Sequence, residues 1–445
     1  MKKTLFTIGL IFSFLCINAQ EKWTLRQCID YAIENNIQIK QQELQVKNSE
    51  INLSTSKNAI LPNLNASAGY GFSFGQYTNT QTNANITTNA SGLDMRVSSS
   101  MPLFTGFKIT NQIKQNELEL QATMEGLKKA KENLELQITS YFLEVLFKQE
   151  VLKVYEEQAQ LTLKQVERTE QLVEAGKAAL SQLYDIKAQL AKDELNITSA
   201  KNALDLSRLD LAQVLNLTES ENFDIVSPSS VENDVLAENM GSILPPAQIY
   251  GTALMIKPHV REAELNVESR KKALNVARSD YYPTLDLSAS YSTSSQRAYN
   301  AKNPSFSNQL RDNSREYIGV TLNIPIFNRF QTRNRVRAAK LDIMNQQLAL
   351  DNVKLVLYKE IQQAHQSATA AQAKFISTEK AYEAAAESYK YAEERYKVGK
   401  MTVFELSEAQ TKMLSSKSEQ LQAKYDFLFR AKILDFYRGV EIDIR

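Results

Sequence analysis

Side chains able to do covalent or metal chemistry are sparse in this 445-residue chain. Its two histidines, His259 and His365, stand far apart in sequence, which argues against a histidine metal site or a Ser–His–acid triad; both read as surface residues. The cysteines are Cys16 and Cys28. Gly69-x-Gly71 lies inside a strand pattern without a following helix, so it is not a nucleotide loop. With no Cys/His cluster or phosphate-binding loop, the expectation is a protein without cofactor, metal or catalytic activity. The acids are more informative. Glu405 and Glu408 are three apart and share one helical face, and Asp185 lies in a similar setting earlier in the chain. Such acids are either ordinary solvated groups or, if gathered around an axis, a cation-attracting ring. Basic and acidic residues number 52 and 51, and that balance gives no basic face for nucleic acid.

The elements that must position these residues begin with an export signal. Lys2 and Lys3 precede an apolar run from Thr4 to Ile17, and Ala19 supplies a small residue for cleavage before Gln20. The alternative is a lipid anchor on Cys16, although Leu15 sits where that signal wants a smaller residue. Elsewhere no uncharged apolar stretch is long enough for a helical membrane span. After cleavage Cys28 stands alone, which excludes an intramolecular disulfide and leaves it as a small core residue. The stretches 103–227 and 326–445 contain no proline and little glycine, which predicts very long helices.

The chain is written twice. Ile60-Leu61-Pro62-Asn63-Leu64 matches Tyr281-Tyr282-Pro283-Thr284-Leu285, Met101-Pro102-Leu103-Phe104 matches Ile324-Pro325-Ile326-Phe327, and Gly176-Lys177 matches Gly399-Lys400. The pairs lie about 222 residues apart, a period far beyond that of a solenoid. Each half therefore reads as helix, two strands around a polar loop, very long helix, glycine, long helix. The predicted division is a signal peptide over 1–19, repeat 1 over 20–222, an equatorial linker over 223–246 and repeat 2 over 247–445.

The strands alternate with period two. Ala66, Ala68, Tyr70, Phe72 and Phe74 share a face, as do Met95, Val97 and Met101, then Leu285, Leu287, Ala289 and Tyr291, and finally Ile318, Val320, Leu322, Ile324 and Ile326. This fits a membrane β-barrel, and equally a half-buried sheet of a soluble protein. The loops 76–91 and 292–314 are rich in Asn, Ser, Thr and Gln, as suits an extracellular face. The helices carry a heptad ladder: Ile138, Val145, Leu152, Ala159, Val166 and Val173, matched by Ile361, Ala368, Phe375, Tyr382, Tyr389 and Tyr396. A helix over 107–174 would extend about 100 Å. Four strands per chain leave two open edges, which a bilayer does not tolerate. Two copies would give a filled bore; three would give twelve strands and room for a lumen.

Trp23-Thr24-Leu25 opening a helix, Leu61-Pro62 before a strand, Pro102-Leu103-Phe104 leading into the long helix, and the hairpin glycines Gly176 and Gly399 form an ordered set. It resembles the TolC-like outer-membrane factor family from about Trp23 to Gly439. The resemblance implies an α+β membrane protein, a homotrimeric 12-stranded β-barrel in outer-membrane lipid continued by an α-helical coiled-coil barrel in the periplasm. It also implies a passive exit duct of a tripartite efflux or type I secretion system, meeting a periplasmic adaptor and an inner-membrane pump. The docking tip would be Ala175, Gly176, Lys177, Val398, Gly399 and Lys400; the pore constriction would be Glu405, Glu408 and Asp185. Two positions depart from the family's latch: Met401 stands where an arginine is expected, and Gln182 replaces an acid. The competing reading is a secreted periplasmic coiled-coil scaffold or adaptor without a barrel.

Overall fold

A computed structural model describes residues 22–78, 83–87, 89–217, 223–226, 243–299 and 302–442. The export signal over 1–19, with Cys16, lies outside the described residues, as does most of the linker over 223–246. The elements run α1 (Leu25–Asn35), α2 (Ile37–Asn58), β1 (Asn65–Ser73), β2 (Gln76–Thr78), β3 (Asn85–Thr87), β4 (Ala90–Phe104), α3 (Lys108–Glu174) and α4 (Leu180–Leu215). There follow α5 (Pro246–Ile256), α6 (Pro258–Ser279), β5 (Thr284–Ala298), α7 (Phe306–Asp312), β6 (Arg315–Asn323), α8 (Gln331–Lys397) and α9 (Val403–Arg438). The duplication is kept in length: α3 and α8 each have 67 residues, α4 and α9 each have 36, α2 and α6 each have 22.

The described residues fall into two compact units, one lying within 22–41, 129–257 and 356–442, the other within 42–128 and 258–355. The first is helical. Seven of the twelve heptad positions are buried: Ile138, Val145, Ile361 and Ala368 are fully enclosed, and Ala159, Val166 and Phe375 nearly so, while Leu152, Val173, Tyr382, Tyr389 and Tyr396 are half-buried. Trp23 packs edge-on against Tyr31 and Phe223 at 5.0 and 5.7 Å, and pairs through its backbone with Ile225. Thus a short part of the inter-repeat segment is held beside the N-terminal one. Cys28 is fully buried, as expected, and burial pushes its thiol up to about 12, so it stays protonated and inert. Asn36 separates α1 from α2: its Oδ1 accepts from the Gln38 and Ile39 amides while its Nδ2 donates to the Val214 carbonyl. Capping also ends the helices at matching places, with Asn216 after α4 and Gly439 after α9 both left-handed.

One buried layer in this unit is polar. Thr162 of α3 donates to the Asp193 carboxylate of α4 at 2.6 Å and accepts from Gln410 of α9 at 3.2 Å. Gln189 donates to the other Asp193 oxygen at 2.9 Å. Thr162, Asp193 and Gln410 are all at most 2 % exposed. The places related to these by the duplication hold Ala385, Ser416 and Lys187, so the layer occurs once and has no repeat-related counterpart.

The second unit is built on an antiparallel sheet of order β1-β4-β5-β6. Pro102, in an inner strand, sits where the β4–β5 register shifts between Pro102 and Phe104, which resolves its missing donor. At the end where strands join helices, Asp280 accepts from Lys108 at 3.0 Å and from Arg335 at 2.8 Å, tying the starts of α3 and α8 to one carboxylate. The predicted loops are more ordered than their composition implies: β2 pairs with β3 inside 76–91, and 292–314 carries the extension of β5 and the helix α7. Local side-chain pairing, such as the Thr78 hydroxyl donating to the Asn85 side-chain oxygen at 2.7 Å, supplies what periodicity did not reveal.

Candidate functional site

The helical hairpins end in one motif twice. At the first, the Gly176 amide bonds the Val173 carbonyl and the Lys177 amide the Leu172 carbonyl; at the second, Gly399 bonds Tyr396 and Lys400 bonds Arg395. This 5→2 and 6→1 pair is a Schellman closure, and it requires a left-handed residue. Gly176 and Gly399 supply φ +68° and +72°. Neither would meet any atom within 4 Å if given a side chain, so backbone conformation and not space demands glycine there. Ala175, Gly176, Lys177, Val398, Gly399 and Lys400 are all exposed. Beneath them Val166, Leu183, Ile186 and Val403 form a core with Val173, Leu190 and Tyr396 against it, drawing both hairpins together.

The three predicted acids separate into two kinds. Asp185 and Glu408, both exposed, line one groove of about 940 Å³ between α4 and α9, with Phe404, Ser407, Lys192 and Lys412. Glu405 is turned elsewhere. Its carboxylate accepts from the Thr402 amide and hydroxyl, each at 2.8 Å, while its own amide donates to the Thr402 hydroxyl. These bonds from Thr402, with a smaller contribution from Arg395, hold the Glu405 carboxyl below the usual range. That is a capping box, and the signature Thr402-x-x-Glu405 was readable in the sequence. The matching start of α4 has Ala179 and Gln182 and no side-chain cap. The lysines of the groove were also missed; nothing in their own spacing marks them. Met401 is half-buried and Gln182 exposed. His259 and His365 are half-buried, and among the described residues no group of His, Cys, Asp or Glu could hold a metal.

The sheet's register decides what its faces are. Ala68, Met95 and Thr293 lie abreast, as do Ala66, Val97 and Tyr291, and as do Met101, Leu287 and Val320. Within the paired residues every apolar stripe read from the sequence therefore falls on one face, while Phe74, Ile324 and Ile326 lie beyond the strand ends. The opposite face carries Ser67, Arg96, Ser292 and Arg315 in one row and Gly69, Asp94 and Ser294 in another. Within the chain nothing covers the apolar face of the outer strands: Ile318 is 81 % exposed, and Tyr70, Phe72, Val320 and Leu322 are all exposed. No described helix is long and apolar enough to cross a membrane.

The sequence matches the family model for outer membrane efflux proteins twice, over residues 28–217 and again over 249–438, in step with the duplication. The chain belongs to the outer membrane efflux protein family. The curated relatives include the outer membrane efflux protein BepC of Brucella suis, 23 % identical over 405 residues and covering 91 % of this chain and 82 % of that one. The outer membrane protein TolC of Escherichia coli is 22 % identical over 392 residues, covering 84 % and 74 %. The fold is also that of the CmeC outer membrane channel of Campylobacter jejuni, with a TM-score of 0.72 at 16 % identity over 94 % of this chain and 86 % of that one. As an outer membrane efflux protein, this chain is a channel subunit of the bacterial outer membrane, and its uncovered apolar sheet face is the surface such a place requires.

Proposed function

We propose that three copies of this chain join their sheets edge to edge into a 12-stranded barrel, continued by a helical tunnel in the periplasm. The observation that carries this is the apolar face of β1 and β6, exposed on strands that also keep one edge unpaired. Two copies would close a bore that side chains fill; three leave a lumen lined by the Ser, Asn, Asp and Arg face. The subunit then serves as a passive, non-enzymatic duct of a tripartite efflux or type I secretion system. Its hairpin tips, Ala175 to Lys177 and Val398 to Lys400, meet a periplasmic adaptor that connects to an inner-membrane pump. Asp185 and Glu408, near those tips, form the acidic part of the constriction, with Glu405 holding the start of α9 beside them. The repeats divide at the segment 223–246, after an export signal over 1–19.

The test is the particle mass of the protein extracted from the outer-membrane fraction in mild detergent. A trimer supports the shared barrel. A water-soluble monomer or dimer absent from that fraction would overturn it and leave a secreted coiled-coil scaffold.

A further inference from the structure

At its loop end the apolar face of the sheet is not bare. There α7 folds back over it and is fastened by side chains of that same face. Thr293 donates to the Leu310 carbonyl at 2.5 Å, and Ser295 donates to the Gln309 side-chain oxygen at 3.3 Å. That oxygen also accepts from the Gln296 amide at 2.7 Å, and the Gln309 nitrogen donates to the Pro304 carbonyl at 3.1 Å. Asn303 bonds both the amide and the carbonyl of Ala298, at 2.9 and 2.8 Å. Gln309 is 8 % exposed, and Thr293 and Ser295 are each 9 % exposed, so the clasp is a built feature.

Between the clasp and the strands remains a pocket of about 520 Å³, lined by Tyr70, Ser91, Leu93, Ser295, Arg297 and Phe306. Tyr70, Leu93 and Ser295 are one registered row and Ser91 and Arg297 the next. All five strand residues thus belong to the apolar-face parity, and the pocket opens on the side that meets lipid. Arg297 is exposed and makes no ion pair with any described residue. Its height is set by the strand. From Leu285 to Arg297, β5 climbs roughly 40 Å at ~3.3 Å per residue, or about 30 Å along the normal at a tilt of ~40°. An apolar band is about 25 Å tall, so Arg297 stands just past it, at the level of headgroups.

We infer that this pocket holds the phosphate-bearing headgroup of an outer-leaflet lipid, with the Arg297 guanidinium on the phosphate and Tyr70 and Leu93 against the upper acyl chain. Guanidinium suits a phosphate through paired N–H donors, and the tyrosine offers an apolar ring with a polar tip at the boundary. The inference rests on the membrane-barrel reading, and the experiment separates the two. The full-length protein is placed in phosphatidylcholine nanodiscs containing lipid A, and lipids retained after release are counted by native mass spectrometry. The expected result is lipid A on each subunit, with retention falling about tenfold in Arg297→Gln. Arg297→Lys should keep most of it, as should Arg311→Gln, whose residue pairs with Asp312 instead. Equal retention in Arg297→Gln overturns the inference. So does complete displacement of lipid A by millimolar inorganic phosphate, which would mark a simple anion site. A wild-type protein that enters nanodiscs only as a monomer, or not at all, overturns the barrel reading and this inference with it.

Discussion

At the scale of single residues, Glu405 and Glu408 differ more than their spacing suggests. Glu405 is spent on Thr402, and its depressed carboxyl pKa sets a sign. A carboxylate favoured in the folded state stabilises fully above its unfolded value and loses that contribution as pH falls through the lower folded one. Acid should therefore fray the start of α9 below the ordinary carboxylate range and leave the start of α4, which has no capping box, unaffected by this route. Hydrogen exchange at residues 403–406 reports it, and Glu405→Ala should raise exchange there at neutral pH. Thr402→Ala should cost about 1 kcal/mol of local stability by the same loss of cap. Glu408→Ala combined with Asp185→Ala should instead weaken block of the reconstituted pore by multivalent cations. Block that responds to Glu405→Ala alone would place that carboxylate in the lumen and demote the groove acids.

At the scale of elements, the heptad ladder explains why α3 and α8 pack, but not what fixes α4 and α9 upon α3. The buried layer of Thr162, Asp193 and Gln410 does this, because a displaced helix would leave a carboxylate in the core without its donors. Thr162→Val keeps the shape and removes the hydroxyl, so it should destabilise the helical unit by about 1–3 kcal/mol. A lowered midpoint of thermal loss of helical circular dichroism would show it. An unchanged midpoint would mean that Asp193 finds other partners. Repeat-equivalent Ala385 lacks this function, so Ala385→Ser should not substitute for the lost group.

At the scale of the whole molecule, the exposed apolar face is the feature that distinguishes a barrel from a soluble sheet. Ile318, 81 % exposed in the single chain, would tolerate lysine almost freely on a water-facing sheet. Facing lipid near mid-bilayer, Ile318→Lys should cost about 2–4 kcal/mol per chain and reduce the yield of membrane-inserted protein. Heat-modified gel mobility of the outer-membrane fraction would measure it. A substitution on the opposite face, such as Ser288→Lys, should leave insertion intact, because in the proposed barrel that face meets the aqueous lumen.

The sequence by itself determined the duplication, the proline-free helices, the hairpin glycines and the alternation of all four strands. These are local or periodic properties: a left-handed turn demands glycine wherever it occurs, and a period of two or seven is visible without neighbours. It left open whether the strands served a barrel or a soluble sheet, since both alternate identically. Register brings four separate stripes onto one face and leaves those of the outer strands uncovered, which is what supports the proposed barrel. The capping box at Thr402 and Glu405 was legible but passed over, because the acids were read as a pair. The Thr162–Asp193–Gln410 layer and the Arg297 pocket were not legible. Their members lie 31 to 248 positions apart or on strands joined by register alone. No spacing rule links side chains that meet only after distant helices pack or strands pair.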